Sequence, residues 1–116
     1  MSIQLKRIYN EPDANDGYRV LVDKLWPRGL SKDDAKLDDW MKDIAPSDQL
    51  RKSYHSEKAS WDEFRKSYLA ELKQHREALR PLAERARNEN VTLLFSSSNE
   101  EHNNAVVVQQ YLKMLD

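Results

Sequence analysis

Two short segments carry the residue types that could do chemistry. The first is Asp23-Lys24-Leu25-Trp26-Pro27-Arg28-Gly29. Arg28 is a permanent cation with a planar fork of donors, suited to a phosphate or carboxylate. Pro27 and Gly29 shape a turn that presents it, and Asp23 could act as a general base or orient Arg28. The structural alternative is an Asp23–Arg28 ion pair that only holds the turn, with Trp26 in the core. The second segment is Phe95-Ser96-Ser97-Ser98-Asn99, which joins a β-rich run to a helical one. Ligands of open α/β sheets bind at such strand ends. Free N–H groups and the helix dipole favour an anion there by about 0.3–1 kcal/mol. Three hydroxyls and an amide add donors. The alternative is that Ser98 merely caps the helix.

Other chemistries find little support. The segment lacks the glycines of a nucleotide-binding P-loop, and Ser96 to Ser98 lack a nucleophile-elbow pattern. His55, His75 and His102 lie on separate elements without ligand spacing, so no metal site and no cofactor are expected. The chain has no cysteine, which removes disulfides, thiolate metal sites and cysteine nucleophiles. Trp40, Trp61, Phe64 and Tyr68 fall at helical spacing and read as core rather than as a platform for stacking bases.

The elements that must position these segments follow from periodicity. Ile3, Leu5, Arg7 and Tyr9 alternate along a strand near 3–9, and Val20-Leu21-Val22 marks a strand near 18–24 that is buried on both faces. Val91 to Phe95 is the strongest strand, near 91–96. Between the strands, Ser31 with Asp34 opens a helix whose stripe is Leu37, Trp40, Met41 and Ile44, stopped by Ala45-Pro46. Ser47 caps a short helix through Tyr54. Ser60 with Glu63 opens another, with the stripe Trp61, Phe64, Tyr68 and Leu72. The polar stretch Lys73 to Arg76 interrupts, and a further helix runs from near Ala78 to near Asn88 with Pro81 in its first turn. Ser98 with Glu101 caps a last helix through Leu115. This order predicts one α/β domain over 1–116: a small, parallel, three-stranded sheet covered by several α-helices.

With 116 residues, a formal net charge of -1 and 34% charged residues, the chain has size for a core but not the net basic face of a general nucleic-acid binder. Met1 to Lys6 shows no apolar leader, and no stretch is long enough to span a bilayer, so a cytoplasmic setting and no membrane partner are expected.

The sequence resembles domain-of-unknown-function family 488, in its short YeaO-like branch. The stretches that carry the resemblance are Lys6 to Tyr9, the run Gly17 to Gly29, Trp40, Pro46-Ser47, Leu50-Arg51, Trp61, Phe64, Tyr68, Val91 to Leu94 and His102 to Ala105. Lys24 departs from the arginine more usual in the family: the charge survives and the planar fork does not. The resemblance implies an α/β fold and a bacterial or archaeal cytosolic setting, with no established activity. It adds weight to Asp23, Arg28, Arg51, Asn99 and Asn103, which sit in the family's polar motifs. Larger cousins place a Cys-His-Arg where this chain reads His102-Asn103-Asn104, so a cysteine-based chemistry is missing here.

Two functions from different classes remain open. One is an enzyme or binding domain for a small anionic compound. In it Asp23 is the base, Arg28 and Arg51 are anion clamps, and Ser96, Asn99 and Asn103 supply loop donors. The other is a non-catalytic interaction module for nucleic acid or protein, with Lys6, Arg7, Arg19, Lys24 and Arg28 as a local basic patch. The uncharged, hydroxyl-rich Ser96–Asn99 loop favours the first.

Overall fold

A computed structural model describes residues 2–115. Strands β1 (Ile3–Arg7), β2 (Tyr18–Leu21), β3 (Asp39–Trp40) and β4 (Val91–Phe95) form one sheet in the order β1-β4-β2-β3. Every pairing is parallel, with Leu5 opposite Leu93, Val20 opposite Leu93, and Leu21 opposite both Leu94 and Trp40. The helices are α1 (Lys32–Ala35), α2 (Asp48–His55), α3 (Trp61–Gln74), α4 (Arg76–Asn88) and α5 (Asn104–Met114). The expected parallel α/β sheet is present, with four strands instead of three.

All five residues of β4 are buried, because both faces of the sheet are covered. Val20, Val22, Val91, Leu93 and Phe95 face the main core, where Tyr68, Leu72, Leu79, Ala83, Val108 and Leu112 meet them. Leu21 and Leu94 face the other way, toward Ile8, Ala35, Trp26, Leu30, Leu37 and Trp40. Tyr68 donates its hydroxyl to the Ile44 carbonyl at 2.7 Å, and burial pushes its ionisation up, with the charges of Asp23 and Glu71 adding to the effect.

The fourth strand lies where the stripe Leu37, Trp40, Met41 and Ile44 predicts a helix. That helix lasts only from Lys32 to Ala35, because Lys36 turns left-handed with φ 47°. The chain then pairs with β2: Asp38 donates its backbone N–H to the Arg19 carbonyl, and its side-chain carboxylate accepts the Arg19 N–H. The stripe is not one face. Leu37 and Trp40 pack on the smaller cluster, whereas Met41 and Ile44 belong to the main core. The last helix also departs from expectation. Ser98 does not cap it; Asn103 does, accepting from the Val106 N–H at 3.1 Å, and the helix begins at Asn104, next to the apolar run Ala105–Val108. Trp40 and Trp61, expected in the core, are half-buried at its margins.

Caps hold where the sequence signals them most fully. Ser60 and Glu63 form a reciprocal capping box, and the side chains of Ser31 and Ser47 each accept one backbone N–H. Gly17, at φ 64°, passes so close to Asn90 that a β-carbon would sit 2.2 Å from the Asn90 carbonyl oxygen. Only glycine fits there.

The second face of the sheet buries a charged group. Asp16 accepts from Arg19 at 2.6 Å and from Lys6 at 3.1 Å. Arg19 also donates to the carbonyls of Ala35 at 2.8 Å and Lys36 at 3.2 Å. Burial alone would raise the Asp16 carboxyl, but hydrogen bonds from the Asp13 backbone, Lys6 and Arg19 outweigh it and hold the group below its ordinary value. Because the folded value is depressed, this stabilisation is complete above the unfolded value, near pH 4, and is lost as pH falls through the folded one. Asp16→Asn is expected to cost about 3–5 kcal/mol in urea unfolding at pH 7 by stranding Arg19, and to flatten the loss of stability expected below about pH 4 in the unsubstituted protein. A variant as stable as the parent at pH 7 would show that Arg19 needs no counter-charge.

Candidate functional site

Parallel strands bring their C-terminal ends to one edge of the sheet. There the segment after β2 meets the segment after β4. The Asp23 carboxylate accepts the Ser96 N–H at 2.8 Å and the Ser96 hydroxyl at 2.7 Å on one oxygen, and the Asn104 amide at 3.0 Å on the other. Asn104 also donates to the Val22 carbonyl at 2.8 Å, and Trp40 donates its indole N–H to the Asp23 carbonyl at 2.6 Å. Asp23 therefore ties β2, β4 and the first turn of α5 together. Both oxygens are already committed, which leaves it poorly placed to take a proton from a substrate.

A cleft of about 440 Å³ opens beside this junction, between the strand ends, α2 and the loop before α5. Its polar wall includes Ser96, Ser97 and Ser98. Lys24 and Arg51 lie on the side of α2, with His55 and His102 completing the basic groups. Asp48 bridges the two cations: Lys24 Nζ stands 2.8 Å and an Arg51 terminal nitrogen 3.1 Å from the same carboxylate oxygen. The hydrogen bond from Lys24 and its charge hold the Asp48 carboxyl below the usual aspartate range. The remaining wall is apolar, from Leu25, Pro46, Tyr54 and Phe64. Among the described residues, no three His, Asp or Glu side chains gather as a metal site.

The six residues singled out from the sequence separate here. Asp23, Ser96, Arg51 and Asn103 line the cleft. Asn103, however, is buried and spends its side chain on the cap of α5 and on the Asn99 carbonyl, 2.8 Å away. Asn99 lies outside the lining and accepts from the N–H groups of Glu101 and His102, which shapes the loop. Arg28 also lies outside the lining: it is exposed, it forms no ion pair with Asp23, and among the described residues only its carbonyl is engaged, by the Tyr9 hydroxyl at 3.0 Å. Lys24 occupies the cationic place that the sequence pattern gives to Arg28.

Sequence reasoning missed Asp48, Asn104 and His102 as parts of the site. Asn104 had a signal, since it follows the N-cap and opens the apolar run of α5. Asp48 had a local signal in Arg51, three residues on along α2, but its other partner, Lys24, is 24 residues away. The proposed basic patch is divided by the fold. Arg19 is buried, Lys6 is paired with Asp16, and Arg7 donates to the carbonyls of Ser96 and Ser97 at 3.1 and 2.9 Å.

Comparison with known proteins finds relatives of the sequence. A model described as "Inactive DUF488-N3 subclade" matches residues 2–115. An uncharacterised Escherichia coli protein, YeaO, is 47% identical over 115 residues, which is 99% of this chain and all of that one. Uncharacterised proteins of Mycobacterium bovis and Mycobacterium tuberculosis are each 49% identical over 53 residues, 46% of this chain and 45% of theirs. No solved structure matches. Among the described residues, no helix is long and apolar enough to cross a membrane.

If Asp23 is a structural clip, Asp23→Asn should cost about 1–3 kcal/mol in urea unfolding, since an amide can satisfy only one of its two donor sides. A variant of unchanged stability would return Asp23 to the list of candidate bases.

Proposed function

Because the chain belongs to the family described as the inactive DUF488-N3 subclade, we propose that its cleft binds a small anionic compound without transforming it. The observation that carries this reading is the Asp48 carboxylate held between Lys24 and Arg51, two cations that line the cleft. Two cations that converge on one carboxylate oxygen offer a seat of the right charge for a carboxylate or phosphate. Asp48 is exposed, and an exposed ion pair is weak in water, so an incoming anion can displace it. Among the described residues Arg51 keeps most of its donors uncommitted, and Ser97 and Ser98 line the same cleft. The argument against catalysis is the engagement of Asp23, whose oxygens are taken by Ser96 and Asn104. In this reading Asp23 builds the floor, Lys24 and Arg51 clamp the anion, and the serines orient it.

Titration with inorganic phosphate, followed by amide chemical shifts, tests the reading. Shifts are expected at Lys24, Arg51 and Ser96 to Ser98. Arg51→Ala should weaken binding about tenfold or more, while Asp48→Asn, which removes the competing carboxylate, should strengthen it. Shifts confined to the exposed Arg28 turn, or affinity indifferent to both substitutions, would reject the cleft as the anion site.

A further inference from the structure

The anion seat explains one side of the cleft and leaves the aromatic side without a use. Tyr54, Phe64 and Trp61 form a triangular cluster there, with Tyr54 and Trp61 5.9 Å apart and tilted by 54°, and His102 stacks on Trp61. Tyr54 stacks on Phe64 with centroids 4.6 Å apart and planes 28° apart, and Phe64 stacks on Trp61 at 5.7 Å and 26°. Trp61 stacks on His102 at 4.6 Å, with planes only 12° from parallel. His102 is the outermost ring: it is exposed and lines the cleft, while Trp61 covers one of its faces. Among the described residues neither ring nitrogen of His102 has a hydrogen-bond partner; only its backbone N–H is engaged, by Asn99. The ring is thus held in orientation by a stack rather than by polar bonds.

We infer that the compound bound in the cleft carries a flat aromatic ring, which stacks on the open face of His102 while its acidic group sits at Lys24 and Arg51. This rests on the anion reading above and adds the identity of the ligand's body: an aromatic or heteroaromatic acid, or the phosphate ester of an aromatic alcohol. A ring that joins a pre-aligned stack loses little freedom of the protein's own side chains. It also gains the offset-stacked geometry that aromatic pairs prefer. Leu25, 64% exposed at the rim, together with Pro46 and Tyr54, supplies apolar surface for the ring's edge. A volume near 440 Å³ falls within the range of about 300–1,000 Å³ usual for small-molecule sites and exceeds the need of a lone inorganic anion.

The test uses the full chain and three probes of similar charge: inorganic phosphate, phenyl phosphate and cyclohexyl phosphate. The two esters match in size and differ in aromaticity. Calorimetric titration is expected to show phenyl phosphate binding about fivefold or more tighter than cyclohexyl phosphate. His102→Ala should erase that preference, His102→Phe should retain it, and thermal melts should confirm that both variants remain folded. Equal affinity for the two esters, or a preference that survives His102→Ala, overturns the ring inference and leaves the anion reading standing. If none of the three probes binds, the anion reading has failed and the ring inference falls with it.

Discussion

The cleft depends on the hydrogen bonds of one carboxylate. Asp23 follows the central strand β2 and meets the end of β4 and the start of α5, three pieces of chain that converge only because the sheet is parallel. The end of β4 presents an N–H and a hydroxyl from Ser96, and the first residue of α5 presents an amide from Asn104. An acceptor with two oxygens and no donor satisfies all three at once, as no neutral side chain of that size can. The aspartate, and not an asparagine or serine, therefore suits this junction. The same bonds fix the Ser96–Ser98 loop as the polar wall of the cleft.

A second charged junction secures the opposite face of the sheet. Irregular chain, not long helices, covers that face, and irregular chain leaves carbonyls without partners in its own backbone. Arg19 answers this by donating to Ala35 and Lys36, and its burial is tolerated because Asp16 faces it and Lys6 supports Asp16. The anchored segment then turns into β3 and carries Trp40 back to the Asp23 carbonyl. The two junctions thus act in series: Arg19 places the segment that helps to hold the end of β2, and the end of β2 holds the cleft.

Much of this was legible in the sequence, and the failures share a cause. Val91 to Phe95 reads as a buried strand because all five residues are apolar or β-branched, and Ser60 with Glu63 reads as a helix start because both halves of the box lie three residues apart. These signals are local. Leu37 to Ile44 misled because its helical spacing is real, yet its residues divide between two cores that only the folded sheet creates. Ser98 misled because serine caps are common, while the true cap, Asn103, stands two residues before the apolar run. The segments after β2 and β4 were paired correctly by topology, since a parallel sheet admits no other arrangement of their ends. Which cation faces the cleft was not legible: Lys24 and Arg28 flank the same turn, and only the placement of α2 decides between them.

The choice of lysine at position 24 bears on how such a cleft would open. An arginine there could bind Asp48 with two parallel N–H groups and hold it in a fixed plane. Lys24 offers one rotatable ammonium, and Arg51 reaches the same oxygen with a single terminal nitrogen. Asp48 is therefore held by charge more than by geometry, at an exposed site where water competes for every partner. It also sits in the first turn of α2, where the helix dipole favours its charge even when the side chain swings away. A carboxylate held in this way gives up little when it leaves its two cations.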